Sequence, residues 1–123
     1  MKSQEIFNRV LTHLRKQGHA SFGSAGDNGE TCLYRGDNGD MCAVGCLITD
    51  EAYDPAFEGD DISEQRVLNA VETSIGRITK RQGELLMRLQ RAHDFHLDRG
   101  MGVWEGQMVC IAQNFNLKYT PPA

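Results

Sequence analysis

The chain has 123 residues, 40% apolar and 24% charged, with a formal charge of −4. That length predicts one domain, able to bury roughly two-thirds of its extended surface, and the composition excludes a wholly disordered chain. No apolar run approaches the roughly 20 residues that span a bilayer, and Met1-Lys2-Ser3-Gln4-Glu5 lacks a signal peptide's apolar core, so a cytoplasmic protein is expected.

The first element reads as a helix capped by Ser3, with Ile6, Phe7, Val10, Leu11 and Leu14 on one face and Gly18 as its stop. A near-repeat follows: Gly26-Asp27-Asn28-Gly29 returns ten residues later as Gly36-Asp37-Asn38-Gly39. Asn-Gly tolerates the positive φ of a tight hairpin turn, so two such turns predict a three-stranded antiparallel meander over 20–26, 30–36 and 41–48. A two-residue loop at Asn38-Gly39 would set Arg35 opposite Cys42; a three-residue loop with a bulge would set Tyr34 there. Both registers stay open.

Thr49-Asp50-Glu51-Ala52-Tyr53 reads as a capped turn, stopped by Pro55. Asp61-Ile62-Ser63-Glu64 resembles a capping box opening a helix that ends at Gly76, and Thr79-Lys80-Arg81-Gln82 resembles a second. The helix after Thr79 carries Leu85, Leu86, Leu89, Ala92 and His93 on one side. A last helix over about 103–116 places Trp104, Met108, Ile111, Ala112 and Phe115 at helical spacing. The expected fold is α+β: an N-terminal helix, the meander, then about three C-terminal helices, forming one domain over 1–117 with a tail at 118–123.

Charge is uneven. Residues 27–64 hold eleven acids against the single base Arg35, while the rest hold twelve bases against six acids. An acidic end and a basic end are expected, and each would steer a partner of opposite charge.

Several constellations bear on chemistry. Cys32, Cys42, Cys46 and Cys110 include no Cys-x-x-Cys pair, and a cytosolic chain keeps its thiols reduced, so no disulfide and no zinc are expected. His93 and His96 stand one helical turn apart, a spacing that can share a metal but lacks further ligands. Cys42 or Cys46 would need a neighbouring base to become a nucleophile. The glycines at 23, 26 and 29 lack the Gly-Lys-Ser/Thr of a phosphate loop, and neither acidic turn reaches the ligand count of a calcium loop. Arg77, Lys80, Arg81, Arg88 and Arg91 form a basic stripe able to meet phosphates, though no nucleic-acid reading motif accompanies it.

The block Cys32-Leu33-Tyr34-Arg35-Gly36, Gly39, then Cys42-Ala43-Val44-Gly45-Cys46-Leu47-Ile48 resembles a group of small proteins of phages and bacterial genomes with no assigned activity. Leu89-Gln90-Arg91-Ala92-His93-Asp94 extends the likeness. No catalytic residue carries over from that resemblance. It implies a context in which small acidic proteins inhibit or adapt host machinery.

The sequence therefore reads as a non-enzymatic binding protein without cofactor, engaging a host protein or sequestering a small charged ligand. The binding residues expected are Tyr34, Arg35, Asp37 and Asp40 at the hairpin end, and Arg81 and Arg88 on the basic helix. The hairpin end is the favoured surface. The alternatives are a hydrolase using a cysteine or a metal, and a weak nucleic-acid binder using the basic stripe.

Overall fold

The computed structural model describes residues 1–24 and 30–122. Four helices dominate it: α1 (Ser3–Gln17), α2 (Gln65–Ile75), α3 (Lys80–His96) and α4 (Met101–Asn114). Helix α1 buries the five apolar residues its periodicity selects, and Gly18 ends it at φ 77°, donating its N–H to the Leu14 carbonyl at 2.9 Å. Its cap is Lys2 rather than Ser3: the Lys2 N–H bonds the Glu5 carboxylate at 3.2 Å. Thr79 and Gln82 form the reciprocal capping box expected at the start of α3. Asp61 instead closes a turn onto the Ser63 N–H, and α2 begins only at Gln65.

The meander does not form. Only β1 (Phe22–Ser24) and β2 (Glu30–Cys32) pair, antiparallel, with Phe22 opposite Cys32. No third strand joins them among the described residues. The chain is mainly helical, and the α+β expectation is overturned. The first Asn-Gly turn, at 28–29, lies outside the described residues. The second is a real turn: Asn38 and Gly39 take φ of 60° and 81°, and the Gly36 N–H bonds the Asp40 carbonyl at 2.8 Å. On either side of it the expected ladder is replaced by side chains. The N–H groups of Tyr34 and Arg35 go to the Glu58 carboxylate, that of Met41 to Gln17 and that of Val44 to Gln90, at 2.9–3.0 Å. Cys42, Ala43 and Val44 are buried in succession, a pattern that a strand with one wet face cannot show.

This stretch plugs the core. Ala43, Val44, Leu47 and Ile48 join the buried faces of α1, α3 and α4, including Phe7, Leu85, Leu86, Leu89, Trp104 and Met108. Each fully buried leucine there contributes on the order of 1.5–3 kcal/mol. Gly45 lets the plug seat: a Cβ there would lie 2.2 Å from the Tyr34 carbonyl oxygen. The segment after α4 folds back, with the Lys118 N–H on Gln4 at 2.8 Å and Arg15 donating to the Thr120 carbonyl at 2.7 Å.

Candidate functional site

A cavity of about 310 Å³ opens between the Cys32–Tyr34 segment, the Gly59–Asp61 turn and the C-terminal half of α3. Cys32, Tyr34, Cys42, Gln90 and Asp94 face it, with Phe95, 67% exposed, at its mouth.

Asp94 is the most constrained polar group in it. Gln90 stands one helical turn earlier and donates Nε2–H to Asp94 Oδ1 at 2.8 Å, while its own Oε1 accepts the Val44 N–H at 2.9 Å. His93 is fully buried, and its Nε2 accepts the Ser21 N–H at 2.9 Å. That bond leaves the ring proton on Nδ1, which donates it to Asp94 Oδ1 at 2.8 Å. One carboxylate oxygen is thus held from both sides by groups anchored on the backbone, yet the Asp94 side chain keeps 29% of its exposure. It is pre-oriented and reachable.

The neighbouring thiols are protonated. Burial, then the Asp94 charge, pushes the Cys32 thiol up to about 12. Burial raises Cys42 too, by more than the Gly45 N–H, 3.4 Å from its Sγ, lowers it. The Asp94 carboxylate beside Cys32 holds the thiol proton in place, and the lone pair of the nearby His93 is taken by the Ser21 N–H, so neither thiol is activated as a nucleophile.

Ligand atoms of Cys32, His93 and Asp94 lie within 4.8 Å of one another, a spacing compatible with one metal ion. An imidazole ligand needs a free lone pair, and that of His93 is taken by the Ser21 N–H. The imidazole therefore orients Asp94, and the groups left to meet a cation are the carboxylate and the Cys32 thiol. His96 is not part of this group, so the two histidines one helical turn apart do not come together in it.

The residues singled out from sequence fall in three places. Tyr34 lines the cavity, and its hydroxyl donates to the Asp60 carbonyl. Arg35 belongs to the scaffold: its guanidinium reaches Asp50 at 2.8 Å and lies 5.2 Å from the Tyr53 ring centre, and Tyr53 in turn donates to Glu58 at 2.7 Å. Asp37 is exposed on the turn, whereas Asp40 pairs with His19 at 2.8 Å. Arg81 lies 4.3 Å from the Phe115 ring centre, and Arg88 lines a groove with it between α3 and α4. Cys46 turns away from the cavity, its thiol donating to the Ala43 carbonyl at 3.1 Å beside Arg9 and His13. Gly23 serves packing, since a Cβ there would lie 2.5 Å from Leu33 Cδ1.

Sequence reasoning missed Cys32, Gln90, Asp94 and Phe95 as one site. The i, i+4 spacing of Gln90 and Asp94 was a local signal, but nothing in the linear order brings Cys32 to them. Comparison with family models, with curated proteins and with solved structures finds no match.

Proposed function

We propose that this chain is a binding protein that holds a small positively charged ligand in the Asp94 cavity. The observation that carries this reading is Asp94 itself: a carboxylate fixed by His93 and Gln90, with no lysine or arginine among the described residues lining its cavity. A pre-oriented charge in a partly desolvated site gives a cation more than a mobile surface carboxylate would. Phe95 offers a π face beside it, and Cys32 offers a soft donor.

Two features favour holding over turnover. The thiols keep their protons, and neither nitrogen of His93 is free to take one. A cytoplasmic setting is part of the proposal. Four free cysteines suit a reducing compartment, and no helix of the described residues is long and apolar enough to cross a membrane.

Titration calorimetry with zinc ion and, separately, spermidine tests the reading, with inorganic phosphate as the anionic control. At least one cation should bind, and Asp94→Asn should weaken it tenfold or more while leaving the far-ultraviolet spectrum unchanged. Undiminished binding by Asp94→Asn, binding of phosphate alone, or silence with both cations would overturn it.

A further inference from the structure

Helix α3 has an outer ridge that meets the Asp94 cavity only at Phe95. At about 100° per residue, Lys80, Arg81, Glu84, Met87, Arg88, Arg91 and Phe95 fall within about 120° of arc. Four bases face one acid there. Arg81 reaches Glu84 at 3.7 Å, and Arg88 and Arg91 make no ion pair among the described residues. The same ridge carries two large apolar side chains left exposed, Met87 and Phe95.

A groove runs along each flank of this ridge. On the α2 side, Ile62, Leu68 and Ile78 make an apolar groove of about 320 Å³. On the α4 side, Arg81, Arg88, Arg91 and Phe115 make a basic one of about 290 Å³. Met87 and Glu84 line both. Gly83 lies along the apolar groove at the end of the first turn of α3, and a Cβ there would meet nothing within 4 Å. Glycine inside a helix costs roughly 1 kcal/mol relative to alanine, and no contact within the chain requires it here. It leaves the groove open.

We infer that the α3 ridge is a docking surface for an acidic amphipathic helix of a partner protein. Apolar side chains of the partner would enter the Ile62–Leu68–Ile78 groove around Met87, and its carboxylates would lie along Arg81, Arg88 and Arg91. The inference does not depend on the Asp94 cavity. Arginine, methionine and an aromatic residue are the types enriched at protein interfaces, and an apolar groove parallel to a basic one matches the two faces of such a helix. A phosphate backbone would use the arginines and leave the apolar groove empty.

Fluorescence anisotropy with three labelled probes decides this: a helical peptide of glutamate and leucine, polyglutamate of equal length, and a single-stranded oligonucleotide. The amphipathic peptide should bind at least tenfold tighter than polyglutamate. Gly83→Leu, which fills the apolar groove, and Arg88→Glu with Arg91→Glu should each weaken it tenfold or more with the melting temperature preserved. Equal affinity for peptide and polyglutamate would overturn the inference. So would tighter binding of the oligonucleotide, or a Gly83→Leu protein that binds the peptide normally.

Discussion

Gly45 and Gly83 are the same residue in two regions built on different rules. Around Gly45 the chain from Leu33 to Phe57 has only three short 3-10 turns, at Asp37–Gly39, Gly45–Leu47 and Pro55–Phe57. The backbone donors of Tyr34, Arg35, Met41 and Val44 are met one at a time by the side chains of Glu58, Gln17 and Gln90. A single Cβ at 45 would strike the Tyr34 carbonyl. Around Gly83 the helix satisfies its own backbone, and a Cβ would enter open space. The irregular region specifies its shape through individual contacts and has no slack. The helical region repeats one contact pattern and tolerates change on its outer face.

Gly45→Ala should break this comparison most severely. The clash is with backbone, which cannot rotate aside as a flexible side chain would. Overpacking of this kind typically costs about 1–3 kcal/mol, and a backbone clash belongs at or above the top of that range. Urea unfolding should show the midpoint falling with little change in slope. A loss below about 0.5 kcal/mol would mean that the plug moves as easily as a surface loop.

The two regions also differ in how far sequence discloses them. Helices α1, α3 and α4 follow from apolar residues at helical spacing, and the Gly18 and Thr79–Gln82 boundaries follow from local chemistry. The Gly36–Gly39 turn was legible for the same reason, because positive φ at Asn38 and Gly39 is a local preference. The strands expected beside it were not, because the donors of Tyr34, Arg35, Met41 and Val44 find side chains from 23 to 46 residues away in sequence. The binding site shares that difficulty. Asp94 was visible only as a neighbour of His93; its role comes from Ser21, Val44 and Cys32, which the fold delivers from the other half of the chain.

A smaller effect separates polar contacts of the two regions. Glu105 on α4 takes Arg15 of α1 at 2.7 and 2.8 Å and the Tyr119 hydroxyl. The Arg15 hydrogen bond holds its carboxyl below the ordinary value of 4.5. A carboxyl depressed in the folded state stabilises fully above its unfolded pKa and loses that contribution as pH falls through the folded one. Glu105→Gln should therefore cost about 1 kcal/mol at pH 7, as a partly exposed bidentate pair would. The gap to the parent should close as the pH falls well below 4.5. Thermal melts across pH 3 to 7 measure it, and a gap independent of pH would show that the contact is not acting through charge.

The smallest expected change has the opposite sign. Gly83→Ala adds one methyl group where nothing lies within 4 Å, at a helical position whose φ is not in the left-handed region. No contact is lost, and the unfolded chain gives up some of glycine's freedom, so stability should rise by about 0.5–1 kcal/mol. For a chain of this length that corresponds to a melting-temperature rise of a few degrees. Gly45→Ala and Gly83→Ala make the same chemical change, so their difference isolates surroundings from propensity. A loss of stability at 83 would mean that the helical region is as tightly determined as the plug, and that its glycine is required by packing within the chain rather than by room for a partner.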